Sequence, residues 1–480
     1  MDPILLVYVF GPVAGFSVLF GVGTLLERRR LARQTADAYR TAARAAGLTG
    51  VEVSRHRLMD TSSLLRARAG LVTVEITTRL HVGKRGQRSV ITLGGLAGLS
   101  LGKEGIRTSV SRQLGALEIQ VGDPRFDDTL FVRGPEPLVR AILDSETRRL
   151  TVQVFEGRIE VLDADTTRLL ESVVTVRSGV LRVEAVNVIA SPRWLGECLR
   201  GLLDVARRLA HPADIPGRLA ANGQADPLSE VRLANLRTLL AEYRGLPGTL
   251  RVLRSALNDP DPGVGLWAAI ELGEEGRPVL QQIASNPRVP EEVQARALWS
   301  LGEHLSLEEA LAVLSRALRS WRHPVAEACL VALGQRGGPE SVDPLAKVLA
   351  VERGALAAAA ARALGATGEP SAEGPLTREL RRRDGGTGVA CAEALGDVGS
   401  SLAVPRLRAV ESTSKDEALR RAAREAVAQI QGRLTGATPG QLSLTEAESG
   451  QLSLTEDQTG RVALHGGKDA EPDDEDPDGG

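Results

Sequence analysis

Three carboxylates fall within six residues of the stretch "VGDPRFDDTLFVRGPEPLVRAILDSETRRL" (121–150): Asp123, Asp127 and Asp128. Side chains so close could hold a hard cation through oxygen ligands, or share a proton as an acid–base pair. An aspartate before proline also opens turns, and neighbouring aspartates cap them, which is the reading preferred here. A second candidate, "GLAGLSLGKEG" (95–105), imitates a phosphate loop through Gly102 and Lys103. That chemistry needs a glycine five residues before Gly102 and a hydroxyl after the lysine. Ala97 and Glu104 stand there instead. Gly94, Gly95, Gly98 and Gly102 are therefore expected to form a loop between strands.

Other chemical groups are scattered. Cys198, Cys329 and Cys391 have no CxxC spacing, so neither a disulfide framework nor a zinc knuckle is supported, and a reducing compartment fits. His304 and His323 stand alone and read as surface or cap residues. The densest basic run is "RELRRRDGG", with Arg378 and Arg381 to Arg383. Such cations favour the end of a helix dipole. Net charge is −2, and Glu271, Glu274, Glu275, Glu303, Glu393 and Asp397 interleave acid nearby, so no nucleic-acid partner is expected. No nucleophile, base and orienting group occur together, and no catalytic, cofactor-binding or metal-binding residue is assigned.

The elements that must position these residues divide the chain. Its 480 residues are too many for one core, and with 3% aromatic residues the cores must be built from alanine, leucine and valine. Only Lys84, Lys103, Lys347, Lys415 and Lys468 are lysine among 59 cations, a bias expected of a GC-rich bacterial genome. Alternating apolar residues predict strands over 71–80, 88–93 and 115–121, and hairpins over 151–164 and 173–186 with Glu156-Gly157 and Ser178-Gly179 at the turns. Helices are expected over 136–150 and 191–210, the latter opening on Ser191 and Pro192. Residues 51–211 are thus read as an α+β domain, and 212–228 as a linker.

Beyond the linker one phrase recurs: "WAAIELGEEG" (267), "RALWSLGEHL" (296), "ACLVALGQRG" (328), "AAARALGATG" (359) and "ACAEALGDVG" (390). Gly273, Gly302, Gly334, Gly365 and Gly396 are spaced by 29, 32, 31 and 31 residues. A period near thirty with two helical stretches predicts an α-solenoid over 229–435, because one copy alone leaves its apolar face uncovered. Each of the five glycines is expected to end a helix in the left-handed conformation. Pro262, Pro290 and Pro324 sit near the starts of the same helices, and "SLEE" (306–309) forms a capping box. Ala268, Ala297, Cys329, Ala360 and Cys391 share one register, which reads as the close crossing of neighbouring helices.

The repeat resembles HEAT repeats of the short kind first associated with bilin lyases, from about Val231 to Arg433. That family includes scaffolds, lyases, an iron-dependent hydroxylase and DNA glycosylases, so the resemblance implies a fold and leaves the function open. Its hydroxylases carry His-Glu pairs, and here no histidine is followed by glutamate. Residues 121–150 resemble a module of bacterial membrane-tethered proteins without assigned activity, through Gly122, Asp123, Phe126, Asp127, Val132, Arg133 and Gly134.

Both ends differ from the middle. Pro3 to Leu26 carry no charge, and as a helix they would span roughly 36 Å, more than the roughly 30 Å hydrocarbon core. Glu27-Arg28-Arg29-Arg30 follow the run, so 1–27 is expected to be a single transmembrane anchor of a bacterial inner membrane, N-terminus outside, with 28–50 a juxtamembrane helix. Gly11 and Gly15 form a GxxxG through which two copies could pair. Residues 436–480 repeat "GQLSLTE" and end "KDAEPDDEDPDGG", a composition expected to stay disordered. The chain is thus multi-domain: one transmembrane helix, an α+β domain and an α-solenoid of HEAT-like helix pairs. The favoured function is a membrane-anchored cytoplasmic scaffold that binds a protein partner, with Trp321 and Arg322 as candidate contacts and Trp267 and Trp299 expected between repeats. The alternative is an enzyme, of HEAT-like lyase type or with an acidic site in the α+β domain.

Overall fold

A computed structural model of the chain describes residues 30, 33–55, 62–80, 87–103, 118–156, 173–186, 192–382 and 385–433. The expected span at 3–26, the Gly11–Gly15 pair and the tail at 436–480 lie outside these. No helix among the described residues is long and apolar enough to cross a membrane. The structure divides into two compact units, Met1–Val264 and Gly265–Gly480.

In the first unit eight strands form one antiparallel sheet: β1 (Thr49–Arg55), β2 (Ser62–Ala69), β3 (Val72–Leu80), β4 (Gln87–Gly94), β5 (Ser100–Lys103), β6 (Leu130–Arg133), β7 (Val173–Arg177) and β8 (Val180–Val186). Their order is β1-β2-β3-β4-β8-β7-β5-β6. Alternation explains the burial: Val72, Val74 and Ile76 point into the core while Thr73 faces outward. A helix over 33–45 (α1) covers the sheet, its buried Tyr39 hydroxyl hydrogen-bonded to Thr78, which pairs in turn with Ser89. Burial pushes the Tyr39 phenol up to about 12. Where α1 meets α5 (Pro192–Arg208), Gly196 lets the helices close: a Cβ there would lie 3.0 Å from that of Ala45.

The hairpin expected at 173–186 is present, and Ser178 (φ 49) with Gly179 (φ 78) supply the left-handed turn that matches strand twist. Of the one expected at 151–164, residues 151–155 belong to a helix instead, and 157–164 lie outside the described residues. The chain forms α2 (Pro124–Thr129), α3 (Glu136–Ile142) and α4 (Ser145–Phe155). The helix expected over 136–150 breaks where the Asp144 carboxylate accepts from Thr147 N at 2.7 Å and caps α4. Arg148, Val152 and Phe155 then fall on one buried stripe. Of the strand expected at 115–121, residues 118–121 are irregular and 115–117 lie outside the described residues, and β1, β2, β5 and β6 have no counterpart in the expectation. The stretch 212–228, read as a linker, contains α6 (Ile215–Ala225), and α7 (Ser229–Tyr243) with α8 (Pro247–Ala256) belong to the first unit.

After α9 (Pro262–Leu272), the second unit stacks five described helix pairs: α10 (Arg277–Ser285) with α11 (Glu291–Leu301), α12 (Leu307–Arg319) with α13 (His323–Arg336), α14 (Pro339–Val351) with α15 (Gly354–Ala366), α16 (Glu373–Leu380) with α17 (Gly385–Val398), and α18 (Val404–Thr413) with α19 (Glu417–Arg433). The second helix of each pair packs on the second helix of the next. The small residues expected at the crossing, Ala268, Ala297, Cys329, Ala360 and Cys391, are all completely buried. The capping box forms, Ser306 accepting from Glu309 N and Glu309 from Ser306 N.

The five Leu-Gly glycines split into two kinds. Gly273 (φ 58) and Gly302 (φ 48) take the left-handed conformation as expected. Gly334, Gly365 and Gly396 lie inside α13, α15 and α17. Proximity is their reason: a Cβ on Gly334 would lie 2.8 Å from Ala363 O, one on Gly365 2.8 Å from Ala394 Cα, and one on Gly396 3.2 Å from Ala426 Cα. Glycine here removes the side chain that would hold successive helices apart.

Candidate functional site

The aspartates are brought together by α2, and the oxygens of Asp123 and Asp127 are spent on structure. Asp123 caps the helix, accepting from Phe126 N at 3.3 Å, and its other oxygen takes Arg148 Nε at 2.7 Å. Asp127 accepts from Val121 N at 3.0 Å and Gly122 N at 2.9 Å. Burial raises its carboxyl above the usual range against the pull of these hydrogen bonds. Asp128 is exposed. Among the described residues no group of three His, Cys, Asp or Glu is placed to hold a metal ion.

Asp123 serves Arg148, the largest fully buried side chain described. It donates to Asp226 in a bidentate pair, 2.9 and 3.1 Å, and to Leu143 O at 2.9 Å. Burial works against its charge, yet the hydrogen bonds to Asp226 and Asp123 raise its pKa. Arg232 continues the chain of charge, donating to Asp226 O at 2.8 Å and to both oxygens of Asp259 at 2.7 and 2.8 Å. Asn222 adds hydrogen bonds to Arg140 O and Ala141 O. This network fastens α6 and α7 to α2–α4. Reading the sequence missed it, although a signal existed: Arg148 occupies an apolar-stripe position, four residues before Val152 and seven before Phe155.

The phosphate-like loop is half strand. Gly102 lies in β5 opposite Phe131, and a Cβ there would meet that ring at 2.6 Å. The close approach of an aromatic ring, rather than a loop, is why glycine stands at 102. Gly95 (φ 89) does turn the chain after β4.

On the solenoid the candidate pair separates in role. Trp321 is 79% exposed at φ 57. Arg322 points back along the stack, its guanidinium donating to Pro287 O at 2.9 Å and Val289 O at 2.7 Å, both in the loop between α10 and α11. His323 is exposed and its ring lies 6.0 Å from that of Trp321. His304 is exposed as well. Trp267 is partly buried, but Trp299, expected between repeats, is 50% exposed, because its position in α11 lies off the stripe formed by Ala295, Leu298 and Leu301. Of the basic run, Arg378, Arg381 and Arg382 are exposed, and Arg382 reaches the buried Glu379 at 3.3 Å. Burial pushes the thiols of Cys198 and Cys329 up to about 12.

Residues 277–357, from α10 to the start of α15, match the family model described as HEAT repeats. The search of curated proteins returned no match. Among solved structures, human deoxyhypusine hydroxylase in complex with glycerol aligns over 45% of this chain and 96% of its own, at 18% identity and a TM-score of 0.21. The chain thus combines an eight-stranded antiparallel sheet region with a helical, HEAT-like solenoid.

Proposed function

We propose that this chain is a scaffold, tethered to a bacterial inner membrane by residues 3–26, whose solenoid holds a protein partner on the cytoplasmic side at the loop edge carrying Trp321. The observation that carries the reading is Trp321 itself. A left-handed backbone costs a residue with a side chain roughly 1–2 kcal/mol, and such strain persists where surrounding structure enforces it. Arg322 supplies that enforcement, through its guanidinium and through its own N–H, which donates to Ala317 O at 3.0 Å. The result is a fixed indole facing solvent, the kind of side chain that anchors interfaces. At the corresponding place in the next pair, the end of α14, Val351 is 76% exposed, which extends the apolar edge.

Two measurements test this. Capture of a partner from solubilised membranes is expected to drop at least about tenfold with Trp321→Ala, a hot-spot loss, at unchanged helicity, while Trp299→Ala leaves it unaltered. Equal yields from Trp321→Ala and the native chain would remove the site. For the tether, the native chain should stay in the membrane pellet through an alkaline wash and lose that property when 1–27 are deleted; release of the native chain by the wash would remove the anchor.

A further inference from the structure

The last helix pair holds an open cleft of about 560 Å³, lined by Arg408, Arg420, Arg421 and Arg424 together with Glu411 and Glu417. Its origin lies in the helical period. Leu419, Ala422, Ala423, Ala426, Val427 and Ile430 take the inward stripe of α19, leaving Arg421 and Arg424 exposed and Arg420 half-buried. On α18, Leu407 and Val410 turn inward and Arg408 is exposed.

Both carboxylates of the cleft are already engaged: Arg424 Nε donates to Glu411 at 2.7 Å and Arg420 Nη2 to Glu417 at 2.7 Å. Four cations against two carboxylates leave the cleft two positive charges in excess. Arg421 comes no nearer than 3.9 Å to Glu425. The lining therefore attracts anions, and a single carboxylate does not neutralise it.

The chain itself contains a matching anion. Residues 469–478, "DAEPDDEDPD", hold seven carboxylates and no cation. They lie outside the described residues and are joined to Arg433 by the 35 residues 434–468. Fully extended, that connection reaches about 115 Å, and as a flexible coil its ends would lie about 30–35 Å apart. The cleft is within this reach, since Arg421 and Glu417 are separated from Arg433 by at most the length of α19, about 25 Å. Tethering replaces a bimolecular encounter by an intramolecular one, so weak ion pairs suffice.

We infer that the acidic segment 469–478 docks on the arginine cleft of its own chain, with Asp473 to Asp476 facing Arg408 and Arg421. The contact is independent of what the Trp321 edge binds.

The test uses the full chain with Gly480→Cys carrying a fluorophore; the native thiols are buried, so the label goes to the new cysteine. Anisotropy is followed from roughly 0.01 M to 1 M salt, across which the screening length falls from about 30 Å to about 3 Å. Docking predicts high anisotropy at low salt, lost at high salt. It also predicts that loss already at low salt when Arg408→Glu and Arg421→Glu are introduced, and separately with Asp473→Asn, Asp474→Asn, Glu475→Gln and Asp476→Asn. Salt-independent anisotropy would overturn the inference. So would a salt response untouched by the arginine variants, which would place the segment on another surface. If the charge reversals lower the melting temperature, Arg408→Gln with Arg421→Gln is read in the same way.

Discussion

Arg148 occupies a place in the core that its type ordinarily forbids, and the neutralising partners explain how it stays there. Asp226 and Asp123 supply opposite charge, Leu143 O a further acceptor, and each is fixed by its own element. Breaking a buried pair leaves an uncompensated charge, so Asp226→Asn is expected to lose about 3–5 kcal/mol in urea denaturation. Asp128→Asn, at an exposed position, should stay within about 0.5 kcal/mol of the native chain. The buried thiols make a pH prediction. Cys198 and Cys329 titrate at about 12 in the folded chain against an ordinary 9.0. The folded state then holds protons that the unfolded state releases, so this contribution is fully present below about pH 9 and is lost as pH rises towards 12. Urea midpoints should fall across that window, and less steeply in a Cys198→Ala, Cys329→Ala double variant. A native chain that alkylates at these thiols at pH 8 would contradict the burial.

At the scale of elements, identical sequence positions carry different physics. Gly273 and Gly302 serve turns, whereas Gly334, Gly365 and Gly396 serve helix crossings, and the Leu-Gly phrase alone does not separate them. The substitution that separates them is alanine. Gly365→Ala should cost about 1–3 kcal/mol, because the new Cβ meets Ala394 backbone. Gly374→Ala in α16, where a Cβ meets nothing within 4 Å, should instead gain about 0.4–1 kcal/mol by lowering the entropy of the unfolded chain. Thermal melts of the two variants decide the matter; a loss in both would mean that α16 is more closely covered than described. The misread helix α4 teaches the complementary point. Val152 and Val154 alternate with Gln153 as in a strand, but the Asp144 cap and the stripe from Arg148 to Phe155 stabilise a helix instead.

For the whole molecule, the two compact units differ in how far their contacts reach along the chain. The sheet of the first unit pairs β4 with β8 and β5 with β6 and β7 across long intervals, while the pairs of the second unit pack on their neighbours. A stack of the latter kind sums repeat and interface terms. Deleting residues 338–368, which removes α14 and α15 and brings Gly396 into the register of Gly365 relative to Gly334, should therefore leave a folded chain with a lower urea midpoint and a shallower slope. Complete loss of the fold would show a single indivisible core, and unchanged stability would show that the copies do not support one another.

The sequence by itself determined what is local and periodic: the period near thirty, the small residues at each helix crossing, the capping box at Ser306 and the tight turn at Ser178-Gly179. Each of these follows from bonds and spacings within a few turns of chain. The expectation for Asp123 as a turn opener was legible for the same reason. The tertiary structure alone decided the partners of Arg148, the ring above Gly102, the exposure of Trp299, and the division of labour between Trp321 and Arg322. The carboxylate partners of Arg148, the ring above Gly102 and the anchoring of Arg322 depend on residues at least ten positions away being brought within a few ångströms, and no pattern along the chain encodes which distant neighbour will fill that space.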